Sequence, residues 1–191
     1  RTIEAGERDM KWIGEPIIEK EVREQAFRVE CEGRVIPGIL WKPAEAIQID
    51  RIVLLGHGGS LNKRADYILA TARHLVRQEG IAAISIDGPG HGERKKREPA
   101  DVAQAREDFA QAWAEPNASE NIVADWKAAL NAVQAELGEG PVGYFGLSMG
   151  TMMGIPLIAA EPRIGAAVLG LMGTWGPNRD RLIKDAPKVS C

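Results

Sequence analysis

Cysteine is scarce in this sequence, and its scarcity excludes two classes of small protein. Cys31 and Cys191 are the only cysteines among 191 residues. They are too few for a disulfide framework and too far apart to resemble the paired cysteines of a zinc site. Low cysteine usage is typical of a reducing compartment. The sequence therefore predicts a cytoplasmic location and no bound metal.

Long apolar runs are also missing. No stretch approaches the roughly 18–20 apolar residues of a membrane-spanning helix, and the opening segment 1–10 has no apolar core typical of a secretory signal. Neither sign of charge dominates, because 24 basic residues face 27 acidic ones for a net charge of −3. We therefore expect no general attraction to nucleic acid and no membrane association.

What the sequence does contain is one globular domain, predicted over 1–191, in which strands alternate with helices. Residues 24–41 predict a β-hairpin that turns at Glu32-Gly33. Short apolar runs then predict buried strands at 51–59, 81–87, 141–147 and 165–173, and amphipathic periodicity predicts helices at 64–79, 119–137 and 150–160. This order indicates an α/β fold with a mostly parallel sheet, helices on both faces and an N-terminal antiparallel hairpin.

The segment 93–118 interrupts this alternation and is predicted to be a cap insertion. It opens with the basic run ERKKRE at 93–98, which is more typical of a solvated loop than of a binding site. It continues with DFAQAWAEP at 108–116, whose aromatic residues either face a site or only attach the cap to the domain.

The pentapeptide Gly146-Leu147-Ser148-Met149-Gly150 lies between a predicted strand and a predicted helix. Glycines two before and two after a serine allow the sharp strand-to-helix turn of a nucleophile elbow, which exposes the serine hydroxyl at the helix N-terminus. Ser148 is therefore the predicted nucleophile, and an ordinary serine in a glycine-rich turn is the alternative.

The run LLGHGGS at 54–60 ends another predicted strand in two glycines. A backbone N–H from such a turn can supply half of an oxyanion hole, with the residue after the nucleophile supplying the other half. Gly59 is the first choice for that donor and Met149 is its partner, whereas Ser60 is less favoured. A phosphate-binding loop is disfavoured because no Lys-Ser or Lys-Thr follows the glycines.

Three motifs in order, GHGGS (56–60), DGPGHG (87–92) and GLSMG (146–150), make the chain resemble the α/β-hydrolase superfamily, in its serine esterase and serine aminopeptidase-like branch. The resemblance covers residues 25–190 and implies that Ser148 attacks a small-molecule carboxylic ester to form an acyl-enzyme. It implies that Gly59 and Met149 form the oxyanion hole, that the 87–92 motif is a structural loop, and that no cofactor is needed. A thioesterase or a peptidase would use the same machinery.

The general base expected by this resemblance is not evident. The superfamily order is serine, then acid, then histidine, yet His57, His74 and His91 all precede Ser148. Asp180 and Asp185 follow it, in a predicted short helix, and residues 186–191 resemble the lead-in to a further strand. We therefore expect the domain to be incomplete at its C-terminus. We also expect the chain to be inactive alone, and to associate with a C-terminal fragment or with itself.

The predicted substrate pocket draws on Ser60, Met152 and Trp175, the last because it would lie at the strand ends where ligands bind in open α/β sheets. A methionine-rich elbow and the lack of a charged pocket signature favour an apolar acyl group. A non-catalytic binding module with the same fold is the alternative, since the base is missing.

Overall fold

A computed structural model describes residues 10–173 and 175–189, and a seven-stranded mixed sheet forms its framework. The strands are β1 (Lys11–Glu19), β2 (Val22–Cys31), β3 (Arg34–Pro43), β4 (Ile52–Gly56), β5 (Ala82–Ile86), β6 (Val142–Leu147) and β7 (Ile164–Gly170). The helices are α1 (Asp66–Glu79), α2 (Val102–Ala114), α3 (Ala118–Leu137), α4 (Met149–Ala160) and α5 (Arg179–Asp185). Single 3-10 turns occupy Gly92–Arg94 and Ala186–Lys188.

The strand order is β1-β2-β3-β5-β4-β6-β7. The β4, β5, β6 and β7 strands pair in parallel, as predicted, whereas β1, β2 and β3 add three antiparallel pairings. The predicted hairpin is confirmed, with Glu32 and Gly33 at positive φ in its turn. Strand β1 was not predicted, because Gly14 and Pro16 interrupt its alternation and the pairing register shifts there. The antiparallel part is consequently larger than the sequence indicates.

The sheet separates two apolar layers. Alternate residues of β4 face opposite sides: Leu54 packs in the cluster that contains α3 and α4, and Leu55 packs with α1. Trp126 of α3 is fully buried in the first layer. Helices therefore cover both faces, as predicted, and the chain has the α/β-hydrolase architecture.

Helix boundaries follow the predicted signals with small shifts. Helix α1 begins at Asp66 and ends against Gly80, whose left-handed φ of 65° closes the last turn. Asn117 takes the predicted N-cap position of α3 but makes no capping hydrogen bond with its side chain, and Ser119 lies within the helix. The predicted strand lead-in at 186–191 is instead a 3-10 turn at Ala186–Lys188, and residues 190–191 lie outside the described residues.

Helix α4 contains Pro156, which has no N–H to donate to the carbonyl one turn earlier. That carbonyl belongs to Met152, and the side-chain amide of Asn178 donates to it at 3.1 Å. Asn178 lies immediately before α5, so this bond attaches the segment after β7 to the helix that follows Ser148.

Among the strands that the structure describes, β7 forms one edge of the sheet and pairs with β6 alone. Its sequence, IGAAVLG, carries no charge and no proline. Val168 is 61% exposed, and Leu171 and Trp175 beyond it are 77% and 64% exposed. Natural sheets usually protect such edges with charges, proline or a covering element. Within the described parts of the chain, no helix is both long and apolar enough to cross a membrane.

Candidate active site

Ser148 occupies the single-residue junction between β6 and α4, as the glycine pattern predicts. Its backbone adopts φ 54° and ψ −116°, a conformation that costs an L-residue on the order of 1–3 kcal/mol. Its N–H donates to the Gly170 carbonyl at 2.8 Å, and Met152 and Thr151 donate to its own carbonyl. The strain is thus held in place by hydrogen bonds on both sides of the turn.

The flanking glycines are required by close backbone contact. A Cβ on Gly150 would lie 2.2 Å from the Gly56 carbonyl oxygen, and one on Gly146 would lie 2.6 Å from the Gly150 carbonyl. Tyr144 completes this packing by donating its hydroxyl to the Gly150 carbonyl at 2.6 Å. Helix α4 therefore begins directly against β4 and β6, which is why the elbow needs glycine on both sides of the serine.

The loop after β4 is held by side chains from other elements. The hydroxyl of Tyr67, on α1, accepts the Gly58 N–H at 2.7 Å. The Nδ1 of His57 lies 2.9 Å from the Gly58 carbonyl oxygen, and its Nε2 accepts the Gly88 N–H at 2.9 Å. Both polar groups of the Gly58 backbone are therefore engaged.

The next two residues differ in what their N–H groups can do. The Ser60 N–H donates to His91 Nε2 at 3.0 Å, and His91 Nδ1 lies 2.8 Å from the Pro89 carbonyl oxygen. Within the described part of the chain, the Gly59 N–H has no hydrogen-bond partner. These bonds favour Gly59 over Ser60 as an oxyanion donor, in line with the sequence-based prediction.

Met149 is the first residue of α4, so its N–H has no acceptor within the helix. Gly56 and Gly146 are paired in the sheet. Gly59 lies three residues after Gly56, and Met149 lies three residues after Gly146. Two N–H groups without a partner among the described residues therefore follow the ends of neighbouring strands. This arrangement suits stabilisation of an oxyanion next to Ser148.

None of the three histidines is placed to act as a base. Both ring nitrogens of His57 and of His91 are engaged as described above, and His74 is exposed on α1. Burial lowers the pKa of His57 to about 4 and lowers the pKa of His91, so both rings are neutral near pH 7. Their bonds shape the loops around Gly59.

The acids that follow Ser148 are engaged elsewhere. Asp180 is exposed and pairs with Arg179 at 3.3 Å. Asp185 is buried and pairs with Lys188 at 2.8 Å. Among residues 10–173 and 175–189, no cluster of three or more histidine, cysteine or acidic side chains is arranged to hold a metal ion.

The buried His57 predicts a loss of stability at low pH. Its pKa in the folded protein lies below the ordinary value near 6.5, so the unfolded chain binds the proton more readily and stability falls as the pH drops from about 6.5 to 4. His57→Gln removes the titrating ring. The difference in free energy of unfolding between wild type and His57→Gln should therefore fall by about 3 kcal/mol from pH 7 to pH 4. Urea denaturation at both pH values measures this difference, and a constant difference would contradict the assignment.

The predicted pocket residues lie in three different environments. Ser60 lines a cavity of about 400 Å³ beneath α2. Met152 is buried below Gly176, and Trp175 is exposed beyond β7. Phe109 of α2 also lines the cavity, and its ring lies 3.6 Å from where a Gly59 Cβ would stand. Of the three predicted pocket residues, only Ser60 lines the cavity next to Gly59.

Thr151 was missed by the sequence analysis. Its hydroxyl oxygen lies 2.9 Å from the Gly146 carbonyl and 2.8 Å from the Gly170 carbonyl, and it accepts the Gly170 N–H at 3.1 Å. It thereby ties the ends of β6 and β7 to the elbow. The available signal was its polarity, since Thr151 is the one polar side chain in the otherwise apolar α4.

The fold and much of the sequence are similar to a known enzyme. The chain is 45% identical to a cold-adapted esterase from an Arctic intertidal metagenomic library in its PEG-bound complex, over 95% of this chain and 74% of that one, with a TM-score of 0.83. The native structure of a cold-adapted esterase from that source gives 41% identity, coverages of 95% and 72%, and a TM-score of 0.78.

A dienelactone hydrolase from Anabaena variabilis shares the fold alone, at 21% identity, coverages of 88% and 70%, and a TM-score of 0.59. No protein-family model matches the chain, and no curated protein does.

Proposed function

Because the chain belongs to the α/β-hydrolase superfamily, in the family of the cold-adapted esterase, we propose that it hydrolyses carboxylic esters through an acyl-enzyme on Ser148. One observation carries this proposal: a strained serine follows a strand paired with β4, and the N–H groups of Met149 next to it and of Gly59 after β4 have no partner among the described residues. Such strain persists mainly where function requires it.

The proposed reaction has two steps. The Ser148 hydroxyl loses its proton to a base and attacks the ester carbonyl, and the resulting oxyanion accepts hydrogen bonds from the Gly59 and Met149 N–H groups. The tetrahedral intermediate collapses, and the departing alcohol takes the proton. Water then attacks the acyl-enzyme by the same route and releases the carboxylic acid and Ser148. This chemistry needs no cofactor, and low cysteine usage supports a cytoplasmic enzyme.

No histidine of the same copy is placed to act as the base, since His57 and His91 are engaged and His74 is exposed on α1. We propose that the active enzyme obtains it from a polypeptide segment that pairs with the uncharged edge of β7, either a C-terminal fragment of the same protein or a second copy. Strand addition would satisfy the free backbone groups of β7 and cover Val168.

The engaged histidines also favour a second candidate, a binding module that performs no chemistry. Such a module would have no use for the strain at Ser148 or for an oxyanion donor at Gly59. A thioesterase or a peptidase would use the same groups, and substrate comparison separates these from an ester hydrolase.

Fluorophosphonate labelling tests the proposed function and the partner together. Native mass spectrometry of the purified protein should show either a second copy or a co-purifying fragment, and this assembly should be labelled at Ser148 and should hydrolyse p-nitrophenyl acetate. The monomeric 191-residue chain should react about 10²–10⁴-fold more slowly, the usual contribution of a general base. A fully active monomer would overturn the partner proposal. An assembly that leaves Ser148 unlabelled would favour the binding module.

A further inference from the structure

The cavity beneath α2 lies next to the proposed oxyanion donor. It is bounded by the segment 89–99, by α2 and by the start of α3, and we call it the cap cavity. Ser60 and Phe109 are among its lining residues, and Phe109 also covers Gly59. A group attached to an ester carbonyl held at Gly59 could therefore extend into this space. Its volume of about 400 Å³ suits a small organic group.

The inner surface of the cap cavity combines apolar and cationic groups. Phe109, together with alanine and proline side chains from both walls, supplies the apolar part. Five cationic side chains and two acidic ones also line the cavity: Arg34, Arg94, Lys95, Lys96, Arg97, Asp108 and Glu115. The basic run 93–98, predicted to be a solvated loop, thus contributes four residues to a cavity wall.

The less exposed cations of the cap cavity are two guanidinium groups, those of Arg34 and Arg94. Arg34 and Arg94 share the fully buried carboxylate of Asp125, at 3.0 and 2.9 Å. One carboxylate balances only one of them. Glu32, whose side chain is 62% exposed, is a further acidic partner of Arg34. The two guanidinium groups line the cavity, whereas neither Asp125 nor Glu32 is among its lining residues.

The outer part consists of ion pairs that a ligand could replace. Lys95 pairs with Glu98, which points to solvent, while Lys96 pairs with Glu115 and Arg97 with Asp108. Exposed pairs of this kind contribute little to stability, because water screens them. Little stabilisation is therefore lost when the carboxylate of a ligand replaces one of these acidic partners.

From these observations we propose that the cap cavity binds the carboxylate-bearing part of the substrate, so that the enzyme prefers esters with a negatively charged group. This inference rests on the proposed ester hydrolysis and specifies its substrate class. It adds a negatively charged group to the expected substrate, whose acyl group is predicted to be apolar from the lack of a charged pocket signature in the sequence. The apolar wall around Phe109 suits a ring or short chain between the ester and the carboxylate.

An acetyl ester with a carboxylate and its neutral amide, each with one ester bond, provide the test. The active enzyme should release acetate from 4-acetoxybenzoate with a higher kcat/KM than from 4-acetoxybenzamide, and high salt should reduce the preference. Arg97→Gln removes one cation and leaves Asp108 unpaired in the cavity, so it should lower the ratio of the two kcat/KM values about five- to tenfold. The matched control is Arg106→Gln, an equal change of charge at an exposed α2 position that does not line the cavity, and it should preserve the ratio.

Binding of 4-acetamidobenzoate, which carries no ester, separates this inference from the proposed function. Nuclear magnetic resonance titration should show a several-fold weaker Kd in Arg97→Gln than in wild type and Arg106→Gln. If neither ester is hydrolysed, the proposed function fails while this titration still decides the inference. Equal ratios and equal Kd values in all three proteins would overturn the inference and leave ester hydrolysis standing.

Discussion

Replacing Ser148 with alanine is expected to lower kcat of the active enzyme for p-nitrophenyl acetate by roughly four to six orders of magnitude. Without the hydroxyl no acyl-enzyme can form, and only the oxyanion donors and substrate binding remain. The free energy of unfolding should change by less than about 1 kcal/mol, because Ser148 is half-buried and alanine keeps the same strained backbone. Steady-state kinetics and urea denaturation measure both effects.

Ser119→Ala provides the matched control for this substitution. Ser119 lies in the first turn of α3 and is not one of the groups assigned to the reaction, so kcat should remain within about twofold of wild type. Ester turnover by Ser148→Ala at more than about a hundredth of the wild-type rate would place the nucleophile at another residue.

The second large effect concerns folding. Gly150→Ala is expected to destabilise the protein by about 3 kcal/mol or more, which lowers Tm by roughly 10 °C for a chain of this size. The new Cβ would stand 2.2 Å from the backbone oxygen of Gly56. Backbone cannot move aside by changing rotamer, so α4 would have to shift away from β4.

Gly165→Ala is the corresponding control, since a Cβ there meets nothing within 4 Å and φ is not positive. It should change the free energy of unfolding by no more than about 0.5 kcal/mol. Differential scanning calorimetry of both variants gives the comparison. Equal Tm values would show that the contact between α4 and β4 tolerates a methyl group.

Local sequence patterns predicted the central part of this fold well. The turn at Gly80 and the strand-to-helix junction at Ser148 depend on residues within a few positions, and the structure contains both. Strand β1 escaped prediction because its alternation is broken at Gly14 and Pro16, and only pairing with β2 makes it a strand. The pairing partner of β1 cannot be identified from the residues of β1 alone.

The surroundings of Gly59 show a similar limit. The sequence indicated the glycine, but the groups that accept the neighbouring N–H groups of Gly58 and Ser60 belong to other elements. They are Tyr67 on α1 and His91 after β5. Likewise, the run 93–98 is largely exposed, but the fold places its Arg94 against the buried carboxylate of Asp125. Charges near in space and far in sequence decide what such a run can bind.

The bond between Asn178 and the Met152 carbonyl restricts the mutational history open to this chain. With a residue other than proline at 156, α4 would supply its own donor to that carbonyl and Asn178 would be dispensable. With Pro156 but without Asn178, a buried carbonyl would lack a donor, at a cost of about 1–3 kcal/mol. An evolutionary path that acquires the asparagine first avoids this unstable intermediate. Once the proline is present, the asparagine is entrenched, so the two positions form an epistatic pair whose order of appearance matters.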